Sequence, residues 1–338
     1  MPAVSVVMVC HRDTEWLRPA IASVFAQTLR DLELVLVDNG AGLSVQSLGE
    51  LGRDSRLRWA QCPKNFGIPK GHNLGIAAAQ GEYIALLDHD DLMLPQRLER
   101  QVALLMAEPS LGLVASRVAT VDQMGRIIGR EFALLDGAMQ HRYTQFGGPV
   151  VTPAYTGRRK IFQALPYREE FTWAADFDFL ARAAEQFKFS ASPEVLLHYR
   201  RHAGQTTVVQ AASIAHEQCV IRLLTARRRA HRPENLLGAG QALEEARGAP
   251  RDVASMYAQS ATDCLREGLV VLAVYHARKM LAIRRDISAV KTALEIYGAA
   301  LRLAPREAGQ LSRLFFTGPL RAYGFKSAEV DKIALVIG

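Results

Sequence analysis

Apolar and polar residues follow two different periods along the first hundred residues. Val4 to Val9 is an apolar, β-branched run without alternation, the mark of a strand covered on both faces. Leu32 to Val37 is a second such run and ends in Asp38-Asn39-Gly40, a turn signal. Tyr83 to Leu87 is a third. Helical spacings lie between the runs. Trp16, Leu17, Ile21, Val24 and Phe25 share one face of a helix that Thr14 can cap, and His72 to Ala79 reads as a helix stopped by Gly81. Pro95 suits the first position of a helix that buries Leu98, Val102 and Leu105. This alternation predicts right-handed crossovers and a Rossmann-like α/β fold, a mostly parallel sheet with helices on both faces. From about 112 to 212 the pattern mixes short strands, at 113–118 and 195–199, with a helix near 174–185. Beyond 213 it is almost purely helical, apart from a weak strand at 333–337. The spacing at 253–285 resembles one tetratricopeptide-type hairpin. The expected domains are an α/β domain over 1–212 and a smaller all-α domain over 213–338.

In open sheets of this kind, ligands sit beyond the carboxyl ends of the strands. His11, Asp38, Asp88 and Asp90 would line that edge. Asp88, Asp90 and Asp91 follow a buried strand so closely that their charges repel unless a cation or hydrogen-bond donors compensate. Hard carboxylate oxygens suit Mg²⁺ or Mn²⁺. The bland reading is a solvated turn, with Asp91 capping the helix that follows.

Composition and charge narrow the choice. The chain has 338 residues, 49% hydrophobic and 22% charged, which is typical of a soluble globular protein. No apolar run reaches the roughly 18 residues of a membrane span. The start lacks a basic n-region, so a cytoplasmic protein is expected. Cys10, Cys62, Cys219 and Cys264 are scattered without a CxxC, which disfavours a disulfide framework or zinc site. Residues 1–214 hold 22 Lys/Arg and 22 Asp/Glu, while 215–338 hold 19 and 12, so the formal +7 lies entirely in the C-terminal part. Arg227 to Arg229 and the apolar-basic stretch 315–326 read as a solvated face, or else as peripheral contact with an anionic inner membrane face or acidic partner. Nucleic acid is disfavoured, because no binding motif accompanies the charge.

Taken in order, SVVMVCHRDTEWLRPAIASVFAQTL, LELVLVDNG and NFGIPKGHNLGIAAAQGEYIALLDHDD resemble the family 2 glycosyltransferases of the GT-A fold. The resemblance covers about residues 4–207 and leaves the helical C-terminal third uncovered. It implies a metal-dependent, inverting transferase that moves a sugar from a nucleotide donor, with a UDP-sugar favoured, to an acceptor hydroxyl. The acceptor would be a glycan or lipid-linked glycan, with a polypeptide left open, bound by the variable segment 136–171 and appended regions. By the same resemblance Asp90 is the direct metal ligand, and Asp88 helps at the metal or the ribose. His202 is a third ligand or a structural histidine. Asp38 accepts a hydrogen bond from the base or serves its own turn. His11 lines the nucleotide pocket or is a plain loop residue. Asn65, Gly67 and Asn73 match the pattern around ribose and diphosphate. FTWAADFDFLARA resembles the segment of the catalytic base, which makes Asp176 the base, with Asp178 a partner or a solvated helix residue. Arg200 or Arg201 would pair with phosphate, which guanidinium suits geometrically.

Two rivals remain. A nucleotidyltransferase needs a glycine-rich loop after its first strand, and CHRDTEW contains no glycine. A helical interaction protein with a vestigial donor-binding domain would have no use for the retained Asp38, Asp88, Asp90 and Asp176.

Overall fold

The computed structural model describes residues 2–131, 151–229, 231, 233–236, 238, 253–266 and 270–307. The expected strand at 333–337, the stretch 315–326 and residues 136–150 of the acceptor segment lie outside the described residues. The chain divides into two compact units, Met1–Val209 and Gln210–Gly338.

In the first unit the order is β1 (Val4–Cys10), α1 (Leu17–Phe25), β2 (Leu32–Asn39), α2 (Val45–Leu48), β3 (Leu57–Cys62), α3 (Ile68–Ala78), β4 (Tyr83–Leu86), β5 (Leu92–Met93), α4 (Arg97–Ala107), β6 (Leu111–Val121) and β7 (Ile127–Glu131). Then come β8 (Thr156–Arg158), α5 (Arg159–Ala164), α6 (Ala175–Gln186), β9 (Lys188–Arg200) and α7 (Thr206–Val209). One sheet runs β3-β2-β1-β4-β8-β6-β9-β5, with β7 beside β6. Its first four strands are parallel, as the apolar runs predict. The other half is mixed, because β8 runs antiparallel to both β4 and β6. The strand β9 pairs parallel with β6 along most of its length and antiparallel with β5 near its end.

The period of two along β1 decides which helix covers which face. Val4, Val6, Met8 and Cys10 join a core with Leu17, Ile21 and Val24 of α1 and Leu98, Val102 and Leu105 of α4. Val7 points the other way, towards α3. A Cβ on Gly75 would come 2.4 Å from Val7 and 2.9 Å from Val37, so α3 lies close on the sheet only because that position has no side chain. A buried polar pair, Ser5 and Glu33, sits at the amino end of this face. Ser5 Oγ donates to Glu33 Oε1 at 2.6 Å, and Glu33 also accepts from Gln80 N at 2.7 Å, which ties the α3–β4 turn to β2.

Two helix starts differ from expectation. Thr14 does not cap α1 with its side chain; its carbonyl accepts from Leu17 N, and Trp16 occupies the cap position. The helix expected at Pro95 begins at Arg97, because Pro95 offers its carbonyl to Thr28 N instead.

The second unit contains α8 (Ala211–Arg229), α9 (Val253–Arg266), α10 (Val270–Ile283) and α11 (Ile287–Leu303). Ala261, Ala273, Ala277, Ala293 and Ala300 are fully buried between these helices, and small residues there allow close packing. Asp286 caps α11 by accepting from Ala289 N at 2.9 Å. Among the described residues no helix is long and apolar enough to cross a membrane.

Gly40 fixes the edge where the strands end. Its φ is +84°, and a Cβ there would lie 2.5 Å from Asn65 N and 2.6 Å from the Lys64 carbonyl carbon. Both the backbone angle and two unyielding backbone neighbours oppose a side chain. Gly40→Ala should therefore destabilise the fold by about 1–3 kcal/mol, from the backbone angle alone. Urea unfolding of the variant should show a lower midpoint, and an unchanged midpoint would refute this account of the turn.

Candidate active site

Four strand ends deliver the charged residues. β1 ends at Cys10 beside Asp38, with which it is in register. Both Asp38 oxygens accept from its own loop, from Ala41 N at 2.7 Å and Leu43 N at 2.8 Å. A carboxylate has about four lone-pair sites, so these bonds hold its orientation and leave capacity for another donor. Asn39 was not singled out as functional in the sequence, yet it organises the neighbouring loop. Its amide donates to Asn65 Oδ1 and Gly67 O, both at 3.1 Å, and accepts from Phe66 N at 3.0 Å. An aspartate there could not donate, so these two bonds need the amide of Asn39. Gly67, at φ +89°, then opens α3. Asn73 is clamped: its amide donates to Tyr167 O and accepts from Tyr167 N, which fixes its orientation and leaves one N–H and one lone pair for a further partner.

The β4 strand ends at the acidic tip. One carboxylate oxygen each from Asp88, Asp90 and Asp91 lies within 4.8 Å of the others. Asp91 is not a solvated cap. It is fully buried, and its Oδ1 accepts from Arg200 N at 2.8 Å while Oδ2 has no protein partner. Burial, followed by repulsion from Asp90 and Asp88, raises the Asp91 carboxyl well above the usual carboxylate range. Asp88 keeps a little surface. Loss of hydration, then the charges of Asp90 and Asp176, push it up to about 8. Beneath the tip lies Arg97, fully buried, which donates to Leu86 O, Tyr155 O and Gln101 Oε1. Burial lowers Arg97 to about 9, which leaves it charged at neutral pH. Two desolvated carboxyls and a buried cation mark a site that costs folding energy.

The end of β9 closes over this tip. His202 Nε2 meets Asp90 Oδ2 at 2.9 Å, so the histidine and the aspartate are assembled together. Arg200 does not face an open anion site, contrary to its expected phosphate pairing. It is buried, and its guanidinium donates to the carbonyls of Asp90, Asp122 and Gln123 at 2.9–3.1 Å. Arg201 is exposed and remains the candidate of the two. His11 and His89 stand edge to face with ring centroids 5.7 Å apart. Burial lowers both imidazoles, so both are neutral at neutral pH. A cleft of about 300 Å³ lies among these residues and includes Arg12, Thr14, Trp16, Asp90, Gln123 and Gln205 in its wall. Two buried atoms of that wall, Thr14 Oγ1 and Gln205 Oε1, have no protein partner. The sequence offers Thr14 only as a helix cap and gives no signal for Gln205.

Asp176 begins α6, and its charge reaches Asp88. Thr152 Oγ1 donates to its Oδ2 and Phe177 N to its Oδ1. Asp178 is neither solvated nor available. It is fully buried, with Arg182 Nε at 2.8 Å and Arg168 Nη1 at 3.5 Å, which makes it a structural ion-pair residue. Oxygen ligands clustered at 88, 90 and 91, with an imidazole already on Asp90, fit a divalent cation.

Residues 5–165 match the profile of glycosyl transferase family 2. An uncharacterized glycosyltransferase of Methanocaldococcus jannaschii is 31% identical over 206 residues, which is 59% of this chain and 71% of that protein. One from Haemophilus influenzae is 24% identical over 220 residues, covering 62% and 68%. The solved structure of S. aureus TarS 1–349 in complex with UDP-GlcNAc superposes with a TM-score of 0.58 at 15% identity, over 98% of this chain and 89% of that one, a likeness in fold alone. The chain belongs to glycosyl transferase family 2, and it is an enzyme of that class.

The raised Asp88 carboxyl has a measurable sign. Between about pH 4 and 8 the folded chain keeps a proton there that the unfolded chain has lost, so this group's contribution to stability falls as pH rises. Asp88→Asn removes that loss. Melts in chelator across pH 4–8 should show the variant gaining on wild type as pH rises. A difference independent of pH would refute the burial argument.

Proposed function

We propose that the chain is a metal-dependent, inverting transferase that takes a sugar from a UDP-sugar and passes it to an acceptor hydroxyl of a glycan or lipid-linked glycan. The observation that carries this reading is the joint placement of Asp88, Asp90 and His202 with Asp176 at one end of the parallel strands. Asp90, with Asp88 and His202, would hold a Mn²⁺ or Mg²⁺ ion. When bound, that ion offsets the charge that builds on the departing diphosphate. Asp38, on its fixed turn, would accept the imino N–H of uracil, and Asn65, Gly67 and His11 would line the nucleotide. The structurally similar S. aureus TarS 1–349, solved in complex with UDP and with UDP-GlcNAc, supports the choice of donor.

Asp176 is the general base in this reading. The acceptor oxygen attacks the anomeric carbon and its proton passes to the Asp176 carboxylate. The bond to the diphosphate oxygen breaks, and the nucleotide leaves with the electron pair. Thr152 and Phe177 N hold the carboxylate in place for that transfer, at the positive end of the α6 dipole. The bland alternative is that Asp176 only starts its helix.

Two variants separate the readings. Asp90→Ala should keep its fold and lose metal-dependent UDP binding in calorimetry; unchanged affinity, there or in excess chelator, would exclude the metal. Asp176→Asn preserves shape but cannot take the proton. UDP and metal binding should persist while transfer falls at least about a hundredfold. Transfer within a few-fold of wild type would move the base to another residue.

A further inference from the structure

The third ligand of the proposed metal site stands on an aromatic support. Trp16 lies in the β1–α1 loop, far from His202 in the chain, yet its ring centroid is 4.5 Å from the His202 imidazole with 37° between the planes. The guanidinium of Arg200 lies 5.6 Å from the centroid of the same indole. Arg200 cannot drift, because three carbonyls hold it and its own backbone N binds Asp91. The indole is thus in contact with a fixed cation and with the histidine that must point at Asp90. Only 12% of the His202 side chain is exposed, and its Nε2 is already 2.9 Å from Asp90 Oδ2.

We propose that Trp16 is the positioning residue for His202, fixing the imidazole against Asp90 and so setting how tightly the acidic tip holds a divalent cation. This rests on the metal reading above. A histidine ligand without such a support swings about its two side-chain torsions, and each binding event must then order it. Packing against the tilted indole removes that cost in advance, with an aromatic contribution of its own. Outer groups that orient a metal-binding histidine typically contribute 10- to 100-fold in affinity.

The test is Mn²⁺ titration by calorimetry on the full chain with saturating UDP, followed in parallel by tryptophan fluorescence. Trp16→Ala should weaken Mn²⁺ at least about tenfold, while Trp16→Phe, which keeps a ring face, retains most of the affinity. Trp16→Leu, which keeps apolar bulk without a ring face, should behave as alanine does and carries the test if alanine does not fold. In a His202→Ala background, Trp16→Leu should change affinity by no more than about twofold, because its effect runs through the imidazole. An equal loss with and without His202 would reduce Trp16 to a packing residue and overturn the proposal. So would Mn²⁺ affinity that stays at the wild-type level in both Trp16→Ala and Trp16→Leu while Asp90→Ala abolishes it. If wild type itself binds no Mn²⁺ with UDP, the metal reading fails and this inference fails with it.

Discussion

Everything at this edge of the sheet depends on how three carboxylates can stand together at the end of a strand buried on both faces. Repulsion and desolvation both oppose the arrangement. Arg97 answers from below and Arg200 from the side, and each is itself held by backbone carbonyls. Such bonds let a guanidinium remain charged inside the protein. The tip therefore has a fixed frame before any ligand arrives. That frame is what allows His202 to rest on Asp90 without collapsing the turn.

The sheet explains why those partners come from so far along the chain. The strand β9 pairs with β5 at Leu92↔His198, immediately after the acidic tip. That short antiparallel ladder brings Arg200 and His202 over Asp90 and Asp91, more than a hundred residues away in sequence. The hairpin between β6 and β7 supplies the Asp122 and Gln123 carbonyls that lock Arg200. The mixed half of the sheet thus does for Arg200 and His202 what the parallel half does for Asp38 and the acidic tip: it brings them to one edge. Removing either half would leave carboxylates with no geometry.

The parallel strands were legible because burial on both faces leaves uninterrupted apolar runs, as at Val4 and Leu32. The strand β3 was not, since Leu57-Arg58-Trp59-Ala60-Gln61-Cys62 is a half-exposed edge whose Arg58 and Gln61 break both the apolar run and any strict alternation. The strand β9 is longer than its apolar core because Ser190, Ser192 and Glu194 interrupt the signal while the ladder continues. At the site, pattern and resemblance single out Asp88, Asp90 and Asp176, and the structure brings them to one edge. The roles of Arg97, Arg200 and Asn73 were hidden. An arginine reads as surface by default, and only the coordinates reveal which carbonyls it serves. Trp16 looked like one more apolar residue on a helix face, and its meaning appears only once His202 is seen against it.

Magnitudes weigh against a purely structural acidic tip. A helix cap needs one exposed carboxylate and gains about 1 kcal/mol from it. Here one carboxyl is fully buried, a second is pushed up to about 8, and the following helix begins at Arg97 without a side-chain cap. A buried charged group left without full compensation costs several times what a cap returns. The Asp91 Oδ2 atom and the nearby Thr14 Oγ1 and Gln205 Oε1 atoms are buried with no protein partner, each at a cost of about 1–3 kcal/mol. A fold that tolerates three such losses at and beside one 300 Å³ cleft has shaped that cleft for something other than stability.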